Sequence, residues 1–99
     1  MNLEINEVYS FKLNSGEELI AKVLNFDDKI INISEPVSIA PSQKGIGMVP
    51  SLFTTDMNSK FRLNINSVAV IADTNEQVKT KYIEATTGIQ VPDKQIILG

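Results

Sequence analysis

The chain has 99 residues, with no cysteine, no histidine and twelve acidic against nine basic side chains, a net charge of -3. Lacking thiols and imidazoles, it has none of the usual thiol nucleophiles, imidazole acids and bases or transition-metal ligands, so the composition argues against an enzyme and no metal or cofactor is expected. Arg62 is the sole arginine, a poor footprint for duplex DNA, which draws on many phosphate contacts.

This length suits one domain that buries roughly 60 to 65% of its unfolded surface. A small barrel without metals or disulfides gains stability by associating with its own copies, so a homo-oligomer is expected. No apolar run approaches a membrane span, and the first residues are acidic rather than a basic leader, which reads as soluble and cytoplasmic. Asn32-Ile33-Ser34 fits an N-glycosylation acceptor, but without an export signal it is a chance tripeptide.

Val8 to Leu13 alternates, with Tyr9, Phe11 and Leu13 on one face and Ser10 and Lys12 on the other, the period of a half-buried strand. Asn14-Ser15-Gly16 supplies the turn chemistry of a tight hairpin. Glu17 to Phe26 is ambiguous by itself: Leu19, Ile20, Val23 and Leu24 have helical spacing, and Ser15 with Glu18 fits a capping box. Local signals alone favour helix slightly.

Phe11, Leu13, Gly16, Val23, Phe26 and Asp27 nevertheless stand in the register of an apolar-x-Leu step, a turn ending in Gly, a long strand and an aromatic-Asp pair. This tract resembles the first motif of Sm-like (LSm) proteins, small barrels that assemble into rings holding RNA. The resemblance implies that Glu17 to Phe26 is a long, bent strand.

Asp27-Asp28-Lys29 is the next turn, followed by a third strand from Ile30 to Ser34 that continues through Val37 and Ile39 past a bend or bulge at Pro36. Pro41 to Lys44 reads as a loop. Gly45 to Thr55 reads as another strand, and Phe61, Leu63 and Ile65 alternate in a further one. Asn66-Ser67 then breaks the pattern before an apolar strand, Val68 to Ala72. In the family, a break here separates two strands that pair with different neighbours in the ring.

Beyond Asp73 the spacing of Val78, Tyr82 and Ala85 predicts a helix capped by Asp73 or Thr74 and ended by Gly88, with an arm from Gln90 to Gly99. The expected organisation is all-β, a strongly bent five- or six-stranded Sm-like barrel over residues 1-72, with a C-terminal helix and arm over 73-99.

The resemblance places RNA contacts in two loops. Asp27 matches the first; Lys29 stands where the family favours an aromatic or apolar side chain, and Ile31 where it has a base-reading Asn, with Asn32 one place later. Asn64 and Ile65 replace the Arg-Gly pair of the second loop, with Arg62 nearby and Asn66 at the polar position that follows. The candidate RNA-binding residues are therefore Asp27, Lys29, Asn32, Arg62, Asn64 and Asn66. For Asp27, Asn64 and Asn66 the plainer role, closing turns on their own backbone, ranks first. Lys29 and Arg62 are ordinarily solvated charges.

Other features have bland readings. Gly45-x-Gly47 lacks the surroundings of a phosphate loop and gives backbone freedom before a strand. Met48, Leu52 and Phe53 suit a core or a subunit interface. Glu17-Glu18 and Asp27-Asp28 are solvated carboxylates without a third ligand. The resemblance thus implies a non-enzymatic homo-oligomeric ring for single-stranded U-rich or A-rich RNA. Its departures leave open a ring-forming structural or adaptor protein that has lost RNA binding. Met48-Val49-Pro50 and the helical tail look most like members encoded by tailed bacteriophages.

Overall fold

A computed structural model describes residues 2-56 and 58-87. Six strands form one antiparallel sheet: β1 (Val8–Leu13), β2 (Glu18–Phe26), β3 (Ile30–Ser42), β4 (Gly45–Pro50), β5 (Lys60–Asn64) and β6 (Val68–Asp73), followed by helix α1 (Glu76–Thr87). The order is β4-β3-β2-β1-β6, and β5 pairs with the first half of β3 while β4 pairs with the second. The architecture is the expected small, strongly bent, barrel-like sheet with a C-terminal helix.

Curvature follows from where the apolar side chains meet. Phe61 and Leu63 on β5 pack against the same cluster as Val68 and Ile71 on β6, although β5 is paired to β3 and β6 to β1, with β2 between them. The sheet must curl for both strands to reach Tyr9, Phe11, Leu19, Ala21, Val23, Ile31 and Ile33, the buried centre of that cluster. β2 is a strand, as the resemblance implied, because β1 and β3 both supply hydrogen-bonding edges that outweigh its helical propensity. Its capping-box serine instead accepts a bond from the Glu17 amide within the hairpin turn. Gly16 holds that turn at φ 94, with its amide on the Leu13 carbonyl.

Two irregularities shape β2 and β3. Leu24 is an extra residue where Val23 and Asn25 face the consecutive Ile33 and Asn32. Glu35 and Pro36 are the converse, two residues opposite Ala21, and Glu35 adopts φ 52. This second bulge inverts the faces of β3. Ile31 and Ile33 join the main cluster, whereas Val37 and Ile39 emerge on the other face with Val8, Ile20 and Met48. Helix α1 covers that second cluster through Tyr82, which is 1% exposed, and Val78.

Several boundaries differ from expectation. β3 runs through Pro41 to Ser42, and only Gln43-Lys44 turns, because among the described residues β3 beyond Ser38 pairs with β4 alone and leaves a side where a missing amide costs nothing. β4 stops at Pro50; residues 51-56 are irregular and Phe53 stands 80% exposed. Ile65 belongs to a 3-10 turn, Ile65–Ser67. The helix cap is Asn75, whose side chain accepts from the Val78 amide, while Thr74 is buried with its hydroxyl on that of Ser10. Ala85 is exposed rather than part of the packed face. Gly88 and the arm lie outside the described residues. No helix among the described residues is long and apolar enough to cross a membrane.

Candidate nucleic-acid interface

The six candidates fall into two groups. Asp27, Lys29, Asn64 and Asn66 gather at the end of the sheet where the β2-β3 turn meets the 3-10 turn. The link is a backbone hydrogen bond from the Ile65 amide to the Lys29 carbonyl, 2.9 Å long. The hairpin turn joins them through Asn14, whose amide donates to the Ser67 carbonyl and whose side chain donates to that of Asn66. Three turns distant in sequence thus share one edge.

Within this group the turn-closing role of two side chains is visible. An Asp27 carboxylate oxygen accepts from the amides of Lys29 and Ile30, at 2.7 and 2.8 Å. The Ile30 and Lys29 amide bonds, helped by the nearby Lys29 charge, hold its pKa below the ordinary carboxylate value. The Asn64 side chain accepts from the Asn66 amide at 2.8 Å, capping the 3-10 turn. The Lys29 ammonium and the Asn66 side-chain amide are exposed and make no bond among the described residues.

Asn32 and Arg62 form the second group, on the strands rather than in the loops. They are paired across β3 and β5, and Asn32 is also paired with Asn25 across β2. Ile31, which occupies the position of the family's base-reading Asn, is fully buried; Asn32 therefore faces the opposite way, outward from the main cluster. Its side-chain amide donates to the side-chain oxygen Oδ1 of Asn25.

Sequence reasoning passed over Asn25, Lys22 and Lys60, which share this outward face. Their signal is the period-2 alternation of β2 and β5, but only pairing register aligns them with Asn32 and Arg62. Glu17 accepts a hydrogen bond from the Ser38 hydroxyl. Beside β5, a groove of about 400 Å³ is lined by Leu19, Ile33, Leu52, Phe61 and Leu63 together with the charged Glu17, Lys60 and Arg62.

No family model matches this chain, and no curated protein matches it either.

Proposed function

We propose that this chain is an Sm-like, non-enzymatic subunit of a cytoplasmic homo-oligomeric ring that binds single-stranded U-rich or A-rich RNA. The observation that carries this reading is the Ile65 to Lys29 backbone bond, which brings together the two loops that the resemblance assigns to RNA. The same 3-10 turn sends β5 to β3 and β6 to β1, and each strand has one edge unpaired among the described residues. Such edges favour pairing with another copy, and a closed ring would use them all. The exposed Val70 on β6 supplies an apolar side chain for that contact.

The alternative is a ring that serves as a structural or adaptor protein. It is favoured by Asp27 and Asn64, whose side-chain oxygens already close their own turns. Native mass spectrometry of the protein with and without oligo-U or oligo-A RNA separates the two. A closed oligomer taking up RNA in fixed stoichiometry supports the first, a closed oligomer that ignores RNA supports the second, and a stable monomer overturns both.

A further inference from the structure

Three rows of outward side chains cross β2, β3 and β5. Pairing register aligns Lys22 with Ser34 and Lys60, Asn25 with Asn32 and Arg62, and Ile30 with Asn64. Directly paired residues share a face. Burial fixes which face: Ala21, Val23, Ile31 and Ile33 are in the core, whereas Asn25, Lys60, Arg62 and Asn64 are exposed. Lys22 is half-buried at the border with α1, where the Tyr82 hydroxyl reaches the Ser34 carbonyl.

Three cations thus share one face of a chain whose net charge is -3. None is ion-paired among the described residues, where the one salt bridge joins Lys79 to Glu7. No carboxylate stands in the three rows; Glu35 at the bulge and Asp28 in the turn lie just beyond their ends. Adjacent strands are about 4.8 Å apart and alternate residues about 6.7 Å, so the cations lie within roughly a Debye length and their fields add. Between them, the Asn32 to Asn25 bond consumes one donor and one acceptor. The free Asn25 amino group and Asn32 carbonyl oxygen leave a donor and an acceptor side by side, the pattern presented by nucleobase edges.

We propose that this sheet face binds the backbone of a single-stranded nucleic acid, with Lys22, Lys60 and Arg62 meeting phosphates and the Asn25-Asn32 pair meeting a base edge. The inference rests on the RNA-binding part of the reading above and moves its contact from the loops to the strands. A duplex needs more cations than three and hides its pairing edges. An acidic peptide would use the cations and leave the amide pair without a role.

Fluorescence anisotropy with labelled oligo-A and oligo-U RNA tests this, with Arg62→Gln, the combined Lys22→Gln/Lys60→Gln/Arg62→Gln protein and Lys29→Glu beside the wild type. Three phosphate contacts on a single strand predict about a 20-fold affinity loss between 50 and 200 mM salt, from a slope of about 0.7 per phosphate. Arg62→Gln, a change at an exposed side chain, lowers the slope by about 0.7, and the triple variant nearly abolishes binding. Asn25→Ala changes the ratio of oligo-A to oligo-U affinity. Wild-type affinity and slope in Arg62→Gln overturn the proposal, as does a wild type that binds neither RNA, or polyglutamate that competes as well as RNA. If Lys29→Glu alone removes binding, the loop reading stands and the sheet face falls; if only the sheet-face variants remove it, the loops are cleared instead.

Discussion

The Tyr82 hydroxyl donates to the carbonyl of Glu35 at 2.8 Å, and Glu35 is the residue at which β3 enters the left-handed region and reverses its faces. The C-terminal helix is thereby fastened to the backbone feature that creates the surface beneath it. Val37 and Ile39 reach that surface only because of the bulge, and Tyr82 and Val78 then cover it.

Tyr82→Phe keeps the ring and removes the bond, so we expect a loss of about 1 kcal/mol, lowering Tm by roughly 4 to 8 °C in thermal melts. Tyr82→Ala also opens a cavity and costs roughly 3 to 5 kcal/mol. A melting temperature unchanged by Tyr82→Phe would show that the bond does not hold the helix.

Burial, and secondarily the Glu35 charge, push the Tyr82 phenol well above its ordinary value. The folded state therefore keeps a proton that the unfolded state releases first. Its contribution is full below pH of about 10 and falls as pH rises toward the folded value. Denaturant midpoints should decline above about pH 10 in the wild type and more gently in Tyr82→Phe.

At φ 52, Glu35 occupies a conformation in which a side chain is disfavoured. Glu35→Gly should be neutral to stabilising, by up to about 1 kcal/mol, the relief of strain being partly offset by the freer unfolded chain. Equilibrium urea unfolding measures this; marked destabilisation would mean that the side chain itself supports the bulge.

Asp27 has a lowered pKa because the Ile30 and Lys29 amides bond its carboxylate. Its contribution is present above the ordinary carboxylate value and is lost as pH falls through the lower folded value. Asp27→Asn retains an oxygen acceptor without the charge, so its stability should vary less than that of the wild type as pH falls through and below the ordinary carboxylate range. Equal acid limbs for the two proteins would refute the assignment.

Val70 is 55% exposed on β6, which among the described residues has a partner on one side only. If copies associate along this edge, Val70→Lys places a charge at the contact and should shift native mass spectra toward monomer while leaving the monomer fold intact. An unchanged oligomer would exclude this edge from the interface.

The turn at Asn14-Ser15-Gly16, the alternation of Val8 to Leu13 and the break at Asn66-Ser67 were legible because each depends on residues adjacent in sequence. The candidate site was legible only in part. Asp27, Lys29, Asn64 and Asn66 could be tied to turns locally, and Arg62 could be noted as a lone guanidinium. Their division into a loop cluster and a strand row could not be read, since it depends on the Ile65 to Lys29 bond and on pairing across β3 and β5.

By itself, the sequence determined the alternating strand at Val8 to Leu13, the hairpin turn after it and the absence of imidazole and thiol chemistry, all properties of side chains and their near neighbours. Tertiary structure decided that Glu18 to Phe26 is a strand, that Val37 and Ile39 face α1, and that Asn25, Asn32 and Arg62 form one row. Those outcomes depend on bulges and hydrogen-bond register between distant strands. A one-residue change of register reverses every side chain beyond it, so local periodicity cannot specify them.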